Sequence, residues 1–250
     1  MKLLLALFLL AMAVIPATSA EIKNSNDLIK AMHDKYQNKW YKTLTFVQTT
    51  TDYKVEGKPE VNTWYEAMTL PDKLRIDFGG IGNGNGVIFN SGMQHSFKDG
   101  KVIDSRKAGH PLLLLGFSVY GQPVEDTLKQ LADMKFDLTK FREDVWQGRS
   151  VYVVGAEKDD LHSKQFWIDK KNLYFLRSMQ PAGKDGSKTN EIRFADYRKM
   201  KSGGWVAARV EFMLDGKMTL LEEYTDIKTN IKLADTIFDP QNLSIKSYEK

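Results

Sequence analysis

The chain contains no cysteine. That absence removes a disulfide framework, a thiolate metal site and a lipid-anchoring cysteine after a leader. Histidine is scarce as well, with four in 250 residues. His33, His95, His110 and His162 show neither the i, i+4 nor the H-x-H spacing that aims two rings at one metal ion. Blocks of like charge are missing: 36 Lys and Arg against 32 Asp and Glu leave a formal +4 spread along the chain. A balance of that kind excludes the basic stripe of a nucleic-acid binder.

Patterns that carry catalysis are equally thin. "GNGNG" at 82–86 lacks the lysine and the Ser or Thr of a phosphate loop and runs into strand residues, so it reads as a mobile hairpin. Ser118, in "GFSVYG", lacks the G-x-S-x-G spacing of a nucleophile elbow. Asp159 and Asp160, and Glu222 and Glu223, are sequence neighbours. On a strand such neighbours point to opposite faces and cannot work as acid and base, so both pairs read as solvated surface. No enzymatic activity, metal or cofactor is expected.

What is present begins with Lys2, an apolar run from Leu3 to Ile15, and "PATSA". That order, with Thr18 and Ala20 as small residues before Glu21, is a cleaved secretory signal at 1–20. The run is shorter than the roughly 20 residues needed to span a bilayer. Residues 21–250 are then expected to form one domain, exported to a periplasm, where a cysteine-free soluble protein fits well.

"NSNDLIKAMHDKYQNKW" places Leu28, Met32, Tyr36 and Trp40 four residues apart with Ile29 beside them, which predicts an amphipathic helix over 26–40. From Thr43 the period changes to two, and strand-like runs alternate with turn signals such as "LPDK", "NSG" and "KDG". "PVEDTLKQLADM" is helical, with Pro123 at its first position and Glu125 and Asp126 at the positive end of the dipole. Strands resume at Arg149 and continue to Ile227. The expected fold is mostly β, of the α+β class. Its large curved antiparallel sheet of about ten or eleven strands forms an incomplete barrel, with helices covering the concave face. The last stretch, "TIFDPQNLSIKSYEK", reads as a closing edge and a polar tail.

The segment "HPLLLLGFSVYGQP" is apolar on every side for a full turn. Packing as ordinary core and serving as a lid over an apolar cavity both account for it. Alternation along the strands nominates the residues that would line such a cavity: Phe46, Trp64, Leu74, Ile76, Phe78, Phe89, Phe166 and Phe175, with Leu113, Leu114 and Phe117 from the segment itself.

The order of these features resembles the outer-membrane lipoprotein carrier and sorting proteins of the LolA/LolB-like superfamily. "LTFVQTTTDY" is similar to the family's F-x-Q strand opening, with Phe46 and Gln48 in place. "GKPEVNTWYEAMTLPDKLRIDF" resembles its second strand, proline turn and third strand around Pro71, Leu74 and Arg75. "GVIFNSGMQHSFKDGK" resembles the family's hairpin, "HPLLLLGF" falls where the carrier has its lid helices, and "DTIFDPQNLSI" is similar to its closing segment. The resemblance implies a half-barrel that binds lipoprotein acyl chains, or other lipids, and carries them across the periplasm towards the outer membrane. An inner-membrane donor complex, an outer-membrane acceptor and a monomeric state are implied with it. The alternative is a sensor or interaction module of the same fold that binds a lipid or peptide without carrying it. One departure stands out: the family's lid-latching arginine directly before the turn proline is replaced by Leu70. Whether Arg75 can take over depends on the face of the strand it occupies.

Overall fold

The computed structural model describes residues 21–53 and 58–249. The expected signal at 1–20 and part of the "KVEGKPE" break lie outside the described residues. Thirteen strands form one antiparallel sheet that does not close on itself. Strands β1 (Thr43–Asp52), β2 (Glu60–Thr69), β3 (Lys73–Phe78), β4 (Gly86–Asn90), β5 (Met93–Lys98) and β6 (Lys101–Lys107) form one meander. A second runs through β7 (Phe141–Trp146), β8 (Arg149–Val154), β9 (Gln165–Asp169), β10 (Phe175–Ala182), β11 (Lys188–Lys199), β12 (Trp205–Leu214) and β13 (Lys217–Thr229). The two halves meet where β1 pairs with β13, leaving β6 and β7 as the free edges.

The count exceeds the ten or eleven strands that periodicity predicts. β7, "FREDVW", is one that alternation passes over, because three consecutive residues, Arg142, Glu143 and Asp144, are all charged. Its edge position explains the composition, since charge on an edge strand discourages pairing with other chains. The ladder shifts register between Thr45 and Val47, Ser96 and Phe97, Phe175 and Arg177, and Phe212 and Met213. Irregularities of this kind bend strands and increase their twist, which curls the sheet into a half-barrel.

Helix α1 (Ser25–Tyr36) is capped by Asn24, whose side chain accepts from the Asp27 amide at 2.9 Å. It stops short of the predicted end because Asn38 takes the left-handed region at φ 61°. Trp40 is nonetheless buried, just beyond the helix. Helix α2 (Pro111–Gly116), a single tight turn at Ser118–Tyr120 and helix α3 (Val124–Asp133) connect the two free edges across the concave face. Pro123 caps α3 and does not begin it. The main core forms between these helices and the sheet: Leu28, Ile29 and Met32 of α1, Leu113 to Leu115 of α2 and Leu131 of α3 pack with Phe46, Leu74, Phe166, Phe175 and Phe194.

The convex face is covered differently. The last residues fold back over β2 and β3, where Leu233, Ile237, Phe238 and Tyr248 bury Ala67. Beneath them lie Arg75 and Asp77, neither with any exposed side-chain surface, joined by two hydrogen bonds of 2.8 and 2.9 Å. The Arg75 guanidinium also donates to the carbonyls of Ile237, Asn242 and Leu243, and the Tyr248 hydroxyl donates to Asp77 at 2.7 Å. The C-terminal stretch is therefore a clamp on the convex face, not the polar tail its composition suggests. The glycine loop at 79–86 differs from expectation as well. At Gly82 (φ +68°) an added Cβ would stand 1.8 Å from the Ile245 carbonyl oxygen, so the loop is packed against the clamp and not a free hairpin.

Breaking one partner of such a buried pair leaves the other charge uncompensated. Asp77→Ala is expected to lower the unfolding free energy by about 3–5 kcal/mol. Denaturant unfolding should report this as a lower midpoint at unchanged slope.

Candidate functional site: the covered concave face

Strand register settles which side chains face inward. Gln48 lies opposite both Trp64 and Tyr224, Phe46 opposite Glu66, and Thr50 opposite Glu222. Across β3 the same face continues through Phe78, Ile76 and Leu74, and on β4 through Val87 and Phe89. Every strand residue nominated from the sequence as a cavity residue lies on this concave side.

The helices fill most of the concavity, and two of the spaces beside them bear on the site. One, of about 410 Å³, is bordered by Trp64, Ile192, Phe212, Leu220 and Glu222 from the sheet, with Pro111 and Phe136 on the helical side. The other, of about 650 Å³, lies at the end of the half-barrel between Phe89, Met93, Leu113, Leu114, His110 and Met134. Both volumes lie in the range of roughly 300–1,000 Å³ usual for small-molecule sites. The nominated residues divide accordingly. Trp64 borders the first space; Phe89, Leu113 and Leu114 border the second. Phe46, Leu74, Phe117, Phe166 and Phe175 are packed in the core, and Ile76 and Phe78 are half-buried on the same face.

The segment 111–120 is enclosed from all sides. Residues Leu113 to Tyr120 are buried and Leu112 is half-buried. The Tyr120 ring stacks on Trp40 at 3.7 Å and meets Tyr36 edge-on at 5.3 Å. Two polar contacts hold the segment in place. His110 caps α2, its Nδ1 accepting from the Leu113 amide at 3.0 Å, and its ring meets Phe89 edge-on. The Ser118 hydroxyl reaches the carbonyl of Pro71, in the β2–β3 turn, and that of Leu113. Arg75 takes no part in this contact, because its side chain is on the convex side under the C-terminal clamp.

Sequence reasoning missed the polar group at the centre of the apolar face. Glu66 is 5% exposed and Gln48 fully buried. Glu222 reaches the smaller space and accepts from the Tyr224 hydroxyl at 2.8 Å. Burial, reinforced by the Glu222 charge, pushes Glu66 well above the usual carboxylate range. Burial likewise raises Glu222 to about 7, against the hydrogen bonds from Tyr224 and Gln48. Reading Glu222 and Glu223 as solvated surface holds only for Glu223, which is exposed and pairs with Arg209 at 3.3 Å. The alternation that separates the two side chains could have revealed this, because Glu222 shares the parity of Leu220 and Tyr224.

An open antiparallel half-barrel with helices laid across its concave face, and a partly filled apolar interior, defines a LolA-like fold. Comparison with solved structures gives the same answer. A LolA superfamily protein from Nitrosomonas europaea superposes with a TM-score of 0.52 at 11% identity, covering 86% of this chain and 97% of that one. A domain from Vibrio parahaemolyticus described as an outer membrane lipoprotein-sorting protein gives 0.55 at 15% identity, covering 87% and 97%. A DUF1329 family protein from Desulfovibrio piger gives 0.54 at 13% identity, covering 86% and 95%. A family model described only as "Uncharacterized protein" matches residues 122–245. No curated protein matches the chain. Among the described residues, no helix is long and apolar enough to cross a membrane, and no group of three or more His, Cys, Asp or Glu could hold a metal ion.

The His110 cap works only while Nδ1 is unprotonated, and burial lowers the pKa of this histidine from 6.5 to about 4. Between those values the unfolded chain binds the extra proton, so this contribution is complete above pH 6.5 and disappears as pH falls through 4. His110→Asn keeps a neutral cap acceptor and removes the titration. Thermal unfolding of both proteins should show the wild type losing on the order of 2 kcal/mol more than the variant between pH 7 and 4. Parallel losses would exclude a titrating cap.

Proposed function

We propose that this protein is a non-catalytic periplasmic carrier that takes the acyl chains of lipoproteins, or of other lipids, between its sheet and the α2–α3 segment. The observation that carries the reading is the placement of α2, which borders both concave spaces: Pro111 faces one, and Leu113 and Leu114 the other. A small outward shift of this six-residue helix would join the two spaces into one apolar channel. Each buried methylene contributes about 0.8 kcal/mol, so a single long chain offsets the cost of ordering both partners. The LolA-like fold supports the reading, and a carrier of this kind would receive its cargo from an inner-membrane donor and pass it to an outer-membrane acceptor.

The latch in this chain would be Ser118, which ties the α2 segment to the proline turn from the opposite side to the arginine that Leu70 replaces. Its hydroxyl is a modest constraint, worth about 0.5–1.5 kcal/mol, so release would need no large driving force.

Two measurements test the proposal. Native mass spectrometry of mature protein purified from periplasm without detergent should show an adduct that extracts as lipid or acylated peptide. An unliganded mass, with no uptake of a fluorescent acyl probe, would exclude the carrier function. With such a probe bound, Ser118→Ala should speed its exchange roughly 3- to 10-fold, matching the lost hydrogen bond, with the fold intact. An unchanged rate would mean that α2 stays in place during release.

A further inference from the structure

We propose that the polar group beside the smaller concave space is a seat for an ammonium ion, so that the ligand taken there is an amphiphile with an apolar chain and a primary-amine head. The inference rests on the acyl-binding reading and adds the chemistry of the head.

Consider which hydrogen-bonding positions remain open. The Gln48 amide nitrogen donates to Thr50 Oγ1 at 2.8 Å, while its Oε1, fully buried, has no partner. Glu222 accepts from the Tyr224 hydroxyl on Oε2, has the Gln48 amide as a second donor, and borders the space. Glu66 lies on the same face, flanking β1 from the other side, and is almost fully buried. Gln48 Oε1 is an acceptor without a donor, and Glu222 presents a carboxyl to the space. Among the described residues, no Lys, Arg or His contributes to the electrostatic environment of either carboxyl. An uncompensated carboxylate in an apolar wall is costly, and a buried acceptor without a donor costs about 1–3 kcal/mol.

An ammonium head supplies what is missing: one positive charge and three donors. The surroundings favour it over other heads. Trp64 and Phe212 border the same space, and aromatic faces attract cations. A phosphate or sulfate head would meet the Glu222 carboxyl, a group of the wrong sign. A divalent ion is disfavoured because, among the described residues, no group of three or more His, Cys, Asp or Glu could hold one. Burial without a counter-charge raises both carboxyls above their usual range. The formal +4 of the whole chain makes a nonspecific preference for cations implausible, so selectivity for one would have to come from this group.

The test compares three amphiphiles of equal chain length, decylammonium, decanol and decyl sulfate, below their micelle concentrations at pH 8, by calorimetric titration of the mature protein. Decylammonium should bind about 10- to 100-fold more tightly than decanol, the gain of one charge-assisted hydrogen-bonded contact, with decyl sulfate weakest. Glu222→Gln, and in a second variant Glu66→Gln, should bring decylammonium down to the level of decanol measured on the same variant. Equal affinity for decylammonium and decanol, or a preference that survives in both variants, would overturn the ammonium seat and leave the acyl-binding reading standing. Displacement of decylammonium by millimolar calcium alone would identify a metal site and overturn it too. Uptake of none of the three would overturn both readings.

Discussion

The pairing of the first strand with the last is the contact on which the architecture depends. Hairpins of short loop build each meander locally, but β1 meets β13 across most of the chain, as in the bond from the Thr225 hydroxyl to the Val47 carbonyl. Joining them places β1 and β13 in the middle of the thirteen-strand order and sends β6 and β7 to opposite ends. The segment between β6 and β7 must then cross the whole concave face to connect them. The covering helices follow from topology: a connection between two distant edges of a curled sheet runs either over its inner face or around its outside. Apolar side chains on α2 and α3 select the inside. The energetic cost of closing so long a loop grows only logarithmically with its length, so the arrangement is far less demanding than the sequence separation suggests.

Because the centre of the sheet is fixed by β1 and β13, whatever side chains those strands turn inward sit at the heart of the interior. Most are apolar, as the stacked pair Phe46 and Tyr224 illustrates. Gln48, Thr50 and Glu222 are not, and Glu66 of the adjoining strand adds a second carboxyl. A protein selected for stability alone gains nothing from carboxyls there, since an apolar side chain of similar size would pack without desolvation cost. The outer face treats charge differently. Arg75 and Asp77 are equally buried, yet every position that Arg75 offers is occupied by Asp77 or a backbone carbonyl of the clamp. One charged group is complete within the chain, and the other is not.

Much of this was legible in the sequence. The change of period at Thr43 marks the end of helical and the start of strand structure, and the capping pattern from Asn24 locates α1 to within a few residues of its true end. The incomplete barrel follows from the strand pattern and from one apolar segment with no partner of its own, while the LolA likeness rests on the order of short motifs. What escaped has common physical causes. β7 lacks alternation because edge strands carry charge. The C-terminal clamp reads as polar because its backbone carbonyls, invisible in side-chain patterns, bind Arg75. Glu222 reads as surface because a pair of adjacent acids is usually solvated, and only the register against Thr50 shows which of the two turns inward. Of the residues nominated for the cavity, alternation identified the correct face throughout, but could not say which would be packed solid, as Phe166 and Phe175 are, and which would border open space, as Trp64 and Phe89 do.

The position before Pro71 connects these threads. An arginine there would belong to the lid side of the turn, whereas the arginine this chain does have nearby, Arg75, is committed to the convex face, where its removal would unseat the C-terminal clamp. The two faces of one short strand thus hold separate jobs: Leu74 and Ile76 support the interior, and Arg75 and Asp77 tie down the tail. The segment across the concave face is instead held at its ends by a histidine cap and a serine hydroxyl, both neutral and both local to the mouth of the half-barrel. A charged latch can be held shut against a large opposing force, while neutral hydrogen bonds of about 1 kcal/mol each yield to thermal motion. The burial of Leu113 to Leu115, Val119 and Tyr120 supplies the larger share of what holds the segment, and the two neutral contacts fix where it sits.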